Sequence, residues 1–290
     1  MLNGFSLGSM YALIAIGYTM VYGVLRLINF AHGDIMMVGA FSCYFGITAF
    51  GLPFFAAVIL AIVLSAALGV LTDVIAYRPL REAPRISLLI TAIGISYFLQ
   101  NGVNALFGGT TKAFNDVPPI IYEPISTGDI TFSLLDLLVP IVTIVLLLCV
   151  LCILYKTKYG VAIRALAFDI KTVNLMGIDA NKIIMLVFIM GSSLAAVGGI
   201  FWAMKYPAIE PVMGVLIGLK AFAAAVVGGI GSVTGAVLGG FIIGFTEVVV
   251  VAFFPELSGY KDAFAFIFLI LVLLFKPSGI LGYNFERSRF

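Results

Sequence analysis

The feature that most constrains this chain is a series of long apolar runs that continue almost from one end to the other. A helix needs about 20 apolar residues to cross a bilayer, and hydrocarbon offers no partner to a free backbone N–H or carbonyl group. Strands of a membrane barrel would instead alternate apolar and polar residues over about 10 positions. The run from Leu134 to Tyr155 shows no such alternation. The sequence therefore predicts an all-α fold, a polytopic bundle of transmembrane helices.

Composition excludes the main soluble alternatives. Of 290 residues, 62% are hydrophobic and 10% are charged, whereas an ordinary soluble domain is about half apolar and about a quarter charged. The net charge of +2 is too small to indicate a nucleic-acid partner. We therefore expect a single membrane domain over 1–290 that is surrounded by the lipid bilayer and has no nucleic-acid partner.

Nine segments are apolar enough to be membrane spans, so about 8–9 membrane segments are expected. The seventh is short, contains Lys220, and is followed by a glycine cluster. Short segments interrupted by glycine are typical of the broken helices of transporters, so this segment is predicted either to cross or to be re-entrant. The predicted spans are 5–26, 34–50, 53–77, 86–107, 134–155, 183–204, 212–229, 232–254 and 262–276.

Basic residues are distributed unevenly between the two predicted sides. If all nine spans cross, twelve of the sixteen Lys and Arg residues lie on one side, three on the other, and one inside the seventh span. Positively charged loops stay in the cytoplasm. The N-terminus is therefore predicted outside and the C-terminus in the cytoplasm. The four basic regions are Arg26, the loop 78–85, the loop 156–182, and the tail that carries Lys276, Arg287 and Arg289.

The cytoplasmic loop 156–182 has the periodicity of a short amphipathic helix. That helix is predicted to end at Gly177, and Asp179 is predicted to cap the sixth span. Such a helix can dock in a groove on a partner protein, or it can lie on the membrane surface. The apolar positions at helical spacing are Ile163, Leu166, Ala167, Ile170 and Val173.

Three groups of residues are candidates for a pathway or for a helix interface. Charges inside a membrane are costly and often functional, which draws attention to Lys220 and Glu247. The connection between the first two spans contributes Asn29 and His32. Small residues let helix backbones approach closely, either within one subunit or along a pathway. The glycines in question are Gly228, Gly229, Gly231, Gly235 and Gly239.

An enzyme is disfavoured, and we expect no catalytic residue, no metal and no cofactor bound by this chain. His32 and Asp34 are close on a turn that has no serine or cysteine nucleophile nearby, and Asp34 is suited to cap the second span. An intramembrane aspartyl protease would need two aspartates at mid-membrane, but Asp34 and Asp73 are expected toward the cytoplasmic ends. A single histidine makes a metal site implausible, and the chain has no P-loop motif.

Six stretches of the sequence resemble the LivH/LivM family, the permease subunits of branched-chain amino acid ABC importers. Together they cover nearly the whole chain in order, and NFAHG and KAFAAAVVGGIGS are fairly specific to permeases for hydrophobic amino acids. Permeases for urea and short-chain amides share much of the pattern. The stretches are SLGSMYALIAIGYTMVYGVLRLINFAHGD, YRPLR, TAIGISYFLQN, LMGIDANKII, LKAFAAAVVGGIGSVTGAVLGGFIIG and KPSGILG.

The resemblance implies the permease of an ATP-driven importer in the bacterial cytoplasmic (inner) membrane. It implies a heterodimer with a second, LivM-like permease, two LivG/LivF-like ABC ATPase subunits that use the ATP, and an extracytoplasmic amino-acid-binding protein. A urea or short-chain amide importer and a stand-alone channel or uniporter are the alternatives.

The resemblance also implies that the loop 156–182 is the ATPase-coupling loop. The family's EAA-then-glycine signature corresponds here to Lys171-Thr172-Val173 followed by Gly177, and only the glycine matches. The coupling candidates are Arg164, Leu166, Asp169, Ile170 and Gly177.

Overall fold

The structure is a computed structural model that describes residues 2–115, 117–127 and 130–282. Each of the nine predicted spans is a helix, and two further helices lie in the loop 156–182. The helices are α1 (Leu2–Leu25), α2 (His32–Thr48), α3 (Phe54–Leu71), α4 (Arg85–Phe107), α5 (Leu134–Lys156), α6 (Lys158–Phe168), α7 (Ile170–Leu175), α8 (Ala180–Lys205), α9 (Met213–Gly228), α10 (Val233–Phe253) and α11 (Lys261–Phe275). A π-helical turn (Thr72–Tyr77) and a 3-10 turn (Arg78–Leu80) extend α3.

The predicted polytopic helical bundle is confirmed. Seven of the described helices are long and apolar enough to cross a membrane. One of the seven is α11 counted together with the end of the 3-10 turn before it, as Ser258–Phe275. The other two predicted spans are α2, with 17 residues, and α9, with 16. At a rise of about 1.5 Å per residue, α9 is about 24 Å long, less than the hydrocarbon thickness of about 30 Å. Helix α9 therefore does not span the bilayer alone.

Helix α1 forms the centre of the bundle and contacts α5, α8, α9 and α10. Its side chains are buried over most of its length. The close packing depends on small residues, since a Cβ atom on Gly240 of α10 would lie 2.6 Å from the backbone nitrogen of Ala12. The perimeter is formed by α3, α4, α5 and α11, whose outward faces are exposed.

The basic regions lie together at one end of the bundle, which we call the basic end. There Arg26 donates to the Ala167 carbonyl at 3.0 Å, and Arg81 donates to Oδ1 of Asn181 at 2.6 Å. The segment after α11 joins them, because the Ile280 N–H donates to the Val227 carbonyl at 2.9 Å. Arg287 and Arg289 lie outside the described residues. The shared end agrees with the predicted asymmetry of charge, and the side of the membrane that it faces stays a prediction.

The opposite end is called the loop end because it carries the connection between α4 and α5. Lys205 at the end of α8 donates to Oδ1 of Asn3 at 3.0 Å. Two small antiparallel pairs lie here, with Lys112 opposite Ile209 and Pro124 opposite Ser133. The strands are β1 (Lys112–Ala113), β2 (Pro124–Thr127), β3 (Ile130–Ser133) and β4 (Ala208–Ile209).

Helix α2 begins inside the bundle rather than at the basic end. Arg26 has a φ of +52°, and the non-helical residues after it return along α1 until His32 lies beside Gly17. Gly17 precedes the end of α1 by eight residues, or about 12 Å. His32 and Asp34 therefore lie near mid-height. The expectation that Asp34 lies toward the cytoplasmic end is wrong, because the link between α1 and α2 re-enters the bundle.

Helix α9 also begins inside the bundle, and it ends at the basic end. Its first turn packs on the start of α2, and its last residues pack on the segment 279–282. The chain enters this region from the loop end after Lys205 and leaves at the basic end. The seventh predicted span thus crosses and is not re-entrant. The non-helical residues 206–212 complete the crossing.

The loop 156–182 forms two helices rather than the one predicted. Asp169 has φ of −156° and ψ of 113°, so the extended backbone at this residue separates α6 from α7. Gly177 has a φ of +80°, and Asp179 accepts the N–H of Asn181 at 3.0 Å and of Lys182 at 3.4 Å. The predicted helix end and cap are confirmed. Desolvation acts to raise the pKa of Asp179, but the backbone N–H groups of Lys182 and Asn181 and the Lys182 charge lower it.

Candidate functional site

The starts of α2 and α9 meet near the centre of the bundle. A Cβ atom on Gly33 would lie 2.9 Å from the Cα of Gly218, and one on Gly214 would lie 2.5 Å from the Gly33 carbonyl oxygen. From this crossing α2 runs to the loop end and α9 runs to the basic end. Both helix N-termini carry a partial positive charge. The crossing is therefore a favourable place for an anionic group.

Polar side chains surround this crossing. Gln100 of α4 donates to Oδ1 of Asp34 at 3.1 Å and to the Ser96 hydroxyl at 2.9 Å. Asp34, predicted to cap α2, makes no capping bond there. The His32 ring lies 4.6 Å from the Tyr18 ring, and its buried Nε2 atom has no hydrogen-bond partner among the described residues.

Asn29 lies toward the basic end of this polar region. The Tyr77 hydroxyl donates to its Oδ1 atom at 2.8 Å. Both side chains are buried. The contact ties the re-entering link between α1 and α2 to the π-helical turn after α3. Of the two candidates, Asn29 thus holds the link to the end of α3, and the His32 ring packs against Gly17 of α1 and Gly191 of α8.

A cavity of about 230 Å³ lies beside the crossing, between α4 and α9. Its wall is mostly apolar, and its polar groups come from α1 and α4. The cavity opens on the outer face of the subunit, where Tyr97 and Val215 are exposed. A mainly apolar cavity with a few polar groups suits a small ligand that has both characters. The lining residues are Tyr18, Phe30, Ile93, Ser96, Tyr97, Gln100, Val215 and Leu219.

The exposed face of α4 next to this cavity combines large apolar side chains with polar and glycine residues. Asn101 is exposed and donates to the Tyr97 carbonyl at 2.8 Å. A Cβ atom on Gly94 or on Gly102 would meet nothing within 4 Å. Polar side chains and glycines in a transmembrane helix are typical of contacts with another helix or of a water-filled cavity. This face of α4 is therefore suited to a second protein.

Lys220 and Glu247 belong to a buried charge network nearer the loop end. Lys220 donates to both carboxylate oxygens of Glu247 and to the Tyr11 hydroxyl, each at 3.1 Å, and it also pairs with Asp262. Lys261 lies 3.6 Å from Glu247. The Lys220 side chain is only 3% exposed. The network joins α1, α9, α10 and α11.

The charge network reaches the wall of a cavity of about 440 Å³ at the loop end. Glu247 lines this cavity together with Lys205, Tyr206 and Lys261. Lys205 pairs with Asp136 of α5. Charged groups thus line the loop end, and Glu247 connects them to the interior.

The glycine candidates lie at contacts between α9 and α10 and in the turn between them. A Cβ atom on Gly235 would lie 2.5 Å from the Gly228 carbonyl oxygen, and one on Gly239 would clash with the Ala224 carbonyl. Gly229 and Gly231 have φ of +113° and +96°. Gly231 therefore lies in the turn and not on one helical ridge with Gly235 and Gly239, because Ser232 caps α10 after it.

The apolar face of α6 packs on the chain's own helices, which was not expected for a docking face. Leu166 is only 1% exposed, and Ile163 is buried with it. The helix contacts α1, α5 and α8. Leu175 and Met176, at the end of α7, are 88% and 74% exposed. Arg164, Asp169 and Gly177 are exposed and Ile170 is half-buried, so a partner would meet these residues and the α7 end rather than Leu166.

Several residues of the site were not singled out from the sequence. Ser96 and Gln100 are polar and four positions apart in an apolar span, a spacing that places both on one helix face. Tyr18 gave no such signal, because tyrosine is common in buried spans. Arg81 was counted only as part of the basic loop 78–85 and of a motif quoted for the resemblance. It donates to Asp73 at 2.5 Å, which holds the α3–α4 connection at the basic end.

Comparison with known proteins gives consistent similarities. The profile of the family described as "Branched-chain amino acid transport system / permease component" matches residues 1–273. The chain is 42% identical to the high-affinity branched-chain amino acid transport system permease protein BraD of Pseudomonas aeruginosa and 41% identical to LivH of Escherichia coli K12. Each match covers 97% of this chain and 94% of the relative.

Among solved structures, the chain is similar to one in "PsaBC from Streptococcus pneumoniae in complex with Fab". The TM-score is 0.51 with 14% sequence identity, and the match covers 95% of this chain and 91% of the other. At this identity the likeness concerns the fold alone.

Proposed function

This chain belongs to the family of permease components of branched-chain amino acid transport systems, and from that premise we propose how it acts. It is the membrane-spanning permease subunit of an ATP-driven importer for branched-chain amino acids. The observation that supports this role most directly is the crossing of α2 and α9 beside the 230 Å³ cavity. Half-helices that start at the centre of a membrane protein are typical of transporter binding sites.

The chemistry of the cavity fits a branched-chain amino acid. The aliphatic side chain would lie against Phe30, Val215 and Leu219, where apolar contact replaces water. The carboxylate would be favoured by the helix N-termini at the crossing. The ammonium group would face Ser96, whose hydroxyl oxygen can accept a hydrogen bond. Most of the wall is apolar, so a strongly polar substrate would lose hydration without compensation.

Two neighbouring residues of α9 provide a matched test. Val215 lines the cavity and is 41% exposed, whereas Leu216 is 45% exposed and does not line it. Uptake of radiolabelled leucine by cells that carry Val215→Trp should fall at least about tenfold, since an indole would fill the cavity. Leu216→Trp should keep uptake within about twofold. Equal uptake by the two variants, at equal permease levels in the membrane, would place the pathway elsewhere.

A second, LivM-like permease would complete the pathway at the outer face of α4. The polar and glycine residues of that face, Gly94, Asn101 and Gly102, support this placement. The substrate would then move between two permeases rather than through one. A cysteine at Asn101 should cross-link to the second permease in membranes. Cross-linking to a second copy of this chain would instead indicate a homodimer.

The remaining partners would bind at opposite ends of the bundle. Two ATPase subunits would bind at the basic end, on the surface formed by α6 and α7, and would hydrolyse the ATP. An extracytoplasmic binding protein would deliver substrate at the loop end, near the charged cavity that includes Glu247. The basic end would face the cytoplasm of a bacterial cell, with the N-terminus outside. Co-purification of the ATPases with the permease tests the assembly directly.

A further inference from the structure

A large apolar slot lies on the side of the bundle, away from the α4 face. Its volume is about 570 Å³. Helix α8 forms its floor, α3 and α5 form its two walls, and the connection between α4 and α5 covers its loop end through Pro118, Ile120 and Ile121. Both wall helices contact α8, so the slot is the gap that remains between them.

All the residues that line the slot are Phe, Val, Ile, Leu, Met or Pro. Water stays in a cavity only where two or more polar groups bind it, so water does not fill this slot. A zwitterionic amino acid would lose its hydration there without compensation. The slot therefore does not belong to the proposed substrate pathway. Its occupant must be hydrocarbon.

The length and closure of the slot match one acyl chain. The α5 wall extends from Leu134 to Leu146, which is about 18 Å at the helical rise. One leaflet of hydrocarbon is about 15 Å thick. The segment 118–121, which covers the loop end of the slot, is held in place because the Tyr122 hydroxyl donates to the Met204 carbonyl at 3.0 Å. An occupant must therefore enter from the side, which is where the acyl chains of the bilayer are.

The surroundings of the slot favour an acyl chain over a helix of a partner protein. A helix is about 10 Å across with its side chains, and in a membrane it packs closely against small or polar residues. The flanking exposed residues are also those of a lipid contact. They are the aliphatic side chains Ile59, Val63, Ile141 and Val145, without the polar and glycine residues that mark the outer face of α4.

We propose that this slot is a binding site for a phospholipid, which inserts one acyl chain between α3 and α5 from the leaflet at the loop end. The bound chain fills a gap that neither water nor the subunit's own side chains fill, and it supports the segment 118–121. The proposal is independent of the proposed function, since it concerns a different face of the subunit and does not depend on which substrate is carried.

Photolabelling tests the site. The intact transporter is purified in detergent with a phosphatidylethanolamine that carries a diazirine in one acyl chain, and the labelled peptides are mapped by mass spectrometry. We expect adducts on Val197 to Met204 of the α8 floor. Because an indole from either wall would fill the slot, Val142→Trp and Val58→Trp should each reduce this labelling by about fivefold.

The adjacent residues supply matched controls. Ile141→Trp and Ile59→Trp add the same side chain on the exposed faces of the same helices, and labelling of α8 should stay within about twofold of the wild type. Labelling that all four variants leave unchanged, or that is spread evenly over the perimeter, would overturn the proposal. Occupation of the slot by another subunit would also overturn the proposal. It would be seen as cross-linking of the Val142→Cys variant to that subunit.

Discussion

At the crossing of α2 and α9, glycine is required by contact between backbones. Gly33, Gly214 and Gly218 bring two helix starts together so closely that even a methyl group would overlap a neighbouring main-chain atom. The approach places two N-terminal dipole ends at one point inside the bundle. The chemical character of the centre therefore depends on residues that have no side chain.

Gly33→Ala should destabilise the permease. In an ordinary helix this change is favourable by up to about 1 kcal/mol, but here the added Cβ would overlap Gly214 and Gly218, at a cost of about 1–3 kcal/mol. The midpoint of thermal unfolding in detergent should fall, and leucine uptake should fall with it. Gly259→Ala, whose Cβ would meet nothing within 4 Å, should leave both unchanged. A stable and active Gly33→Ala variant would contradict the observed crossing.

The buried charge network is a second case in which single residues decide stability. Lys220→Met should cost about 3–5 kcal/mol, because Glu247 would be left buried without its closest cation. Adding Glu247→Gln should recover part of that loss. Lys158→Met, which removes an exposed lysine, should cost less than about 1 kcal/mol. Unfolding midpoints of the two single variants and the double variant measure the coupling, and strictly additive losses would show that the pair is not coupled.

At the scale of elements, the α6–α7 segment has two faces with different tasks. One face packs on α1, α5 and α8 and fixes the segment to the bundle. The other presents the exposed end of α7, where Leu175 and Met176 face away from the chain. Gly177 then turns the backbone with a φ of +80° into the cap of α8. A force on the α7 end would thus be transmitted to α8, which contacts α2 near the crossing.

Substitution of two leucines in this segment distinguishes an effect on ATPase docking from an effect on folding. Leu175→Asp should leave the permease folded and weaken binding of the ATPases by about tenfold or more, since an exposed apolar contact would be lost. Leu166→Asp should instead lower the amount of folded permease, because it buries a charge in the chain's own interior. Membrane levels and co-purified ATPase distinguish the two. If Leu175→Asp keeps its ATPases, α7 is not the docking surface.

Substitutions of Gly177 test whether the left-handed turn after α7 affects coupling. Gly177→Val should cost about 1–2 kcal/mol from left-handed backbone strain alone, since no atom lies within 4 Å of the position that its Cβ would take. Gly177→Asn should be milder, because asparagine tolerates this conformation. We expect substrate-stimulated ATP hydrolysis to fall in the order glycine, asparagine, valine. Equal hydrolysis in all three would show that this turn does not affect coupling.

At the scale of the whole molecule, the two ends differ in charge, and this difference sets the expected orientation. A cysteine replacing the exposed Asn174, in a chain without Cys43, Cys149 and Cys152, should be labelled only from the cytoplasm. A cysteine replacing the exposed Glu256 at the loop end should be labelled only from outside. The reverse pattern in intact cells would invert the topology.

The sequence by itself determined the helical membrane bundle, the nine spans that form helices, the uneven distribution of basic residues and the cap at Asp179. These follow from apolar length, charge and local hydrogen bonding, which are properties of consecutive residues. Only the tertiary structure decided that the links at 26–31 and 206–212 re-enter the bundle, that Lys220 pairs with Glu247 and Asp262, and that Leu166 faces inward. Each of these depends on which helices become neighbours, and in a membrane that choice is made by close packing and by polar pairing between residues far apart in the chain.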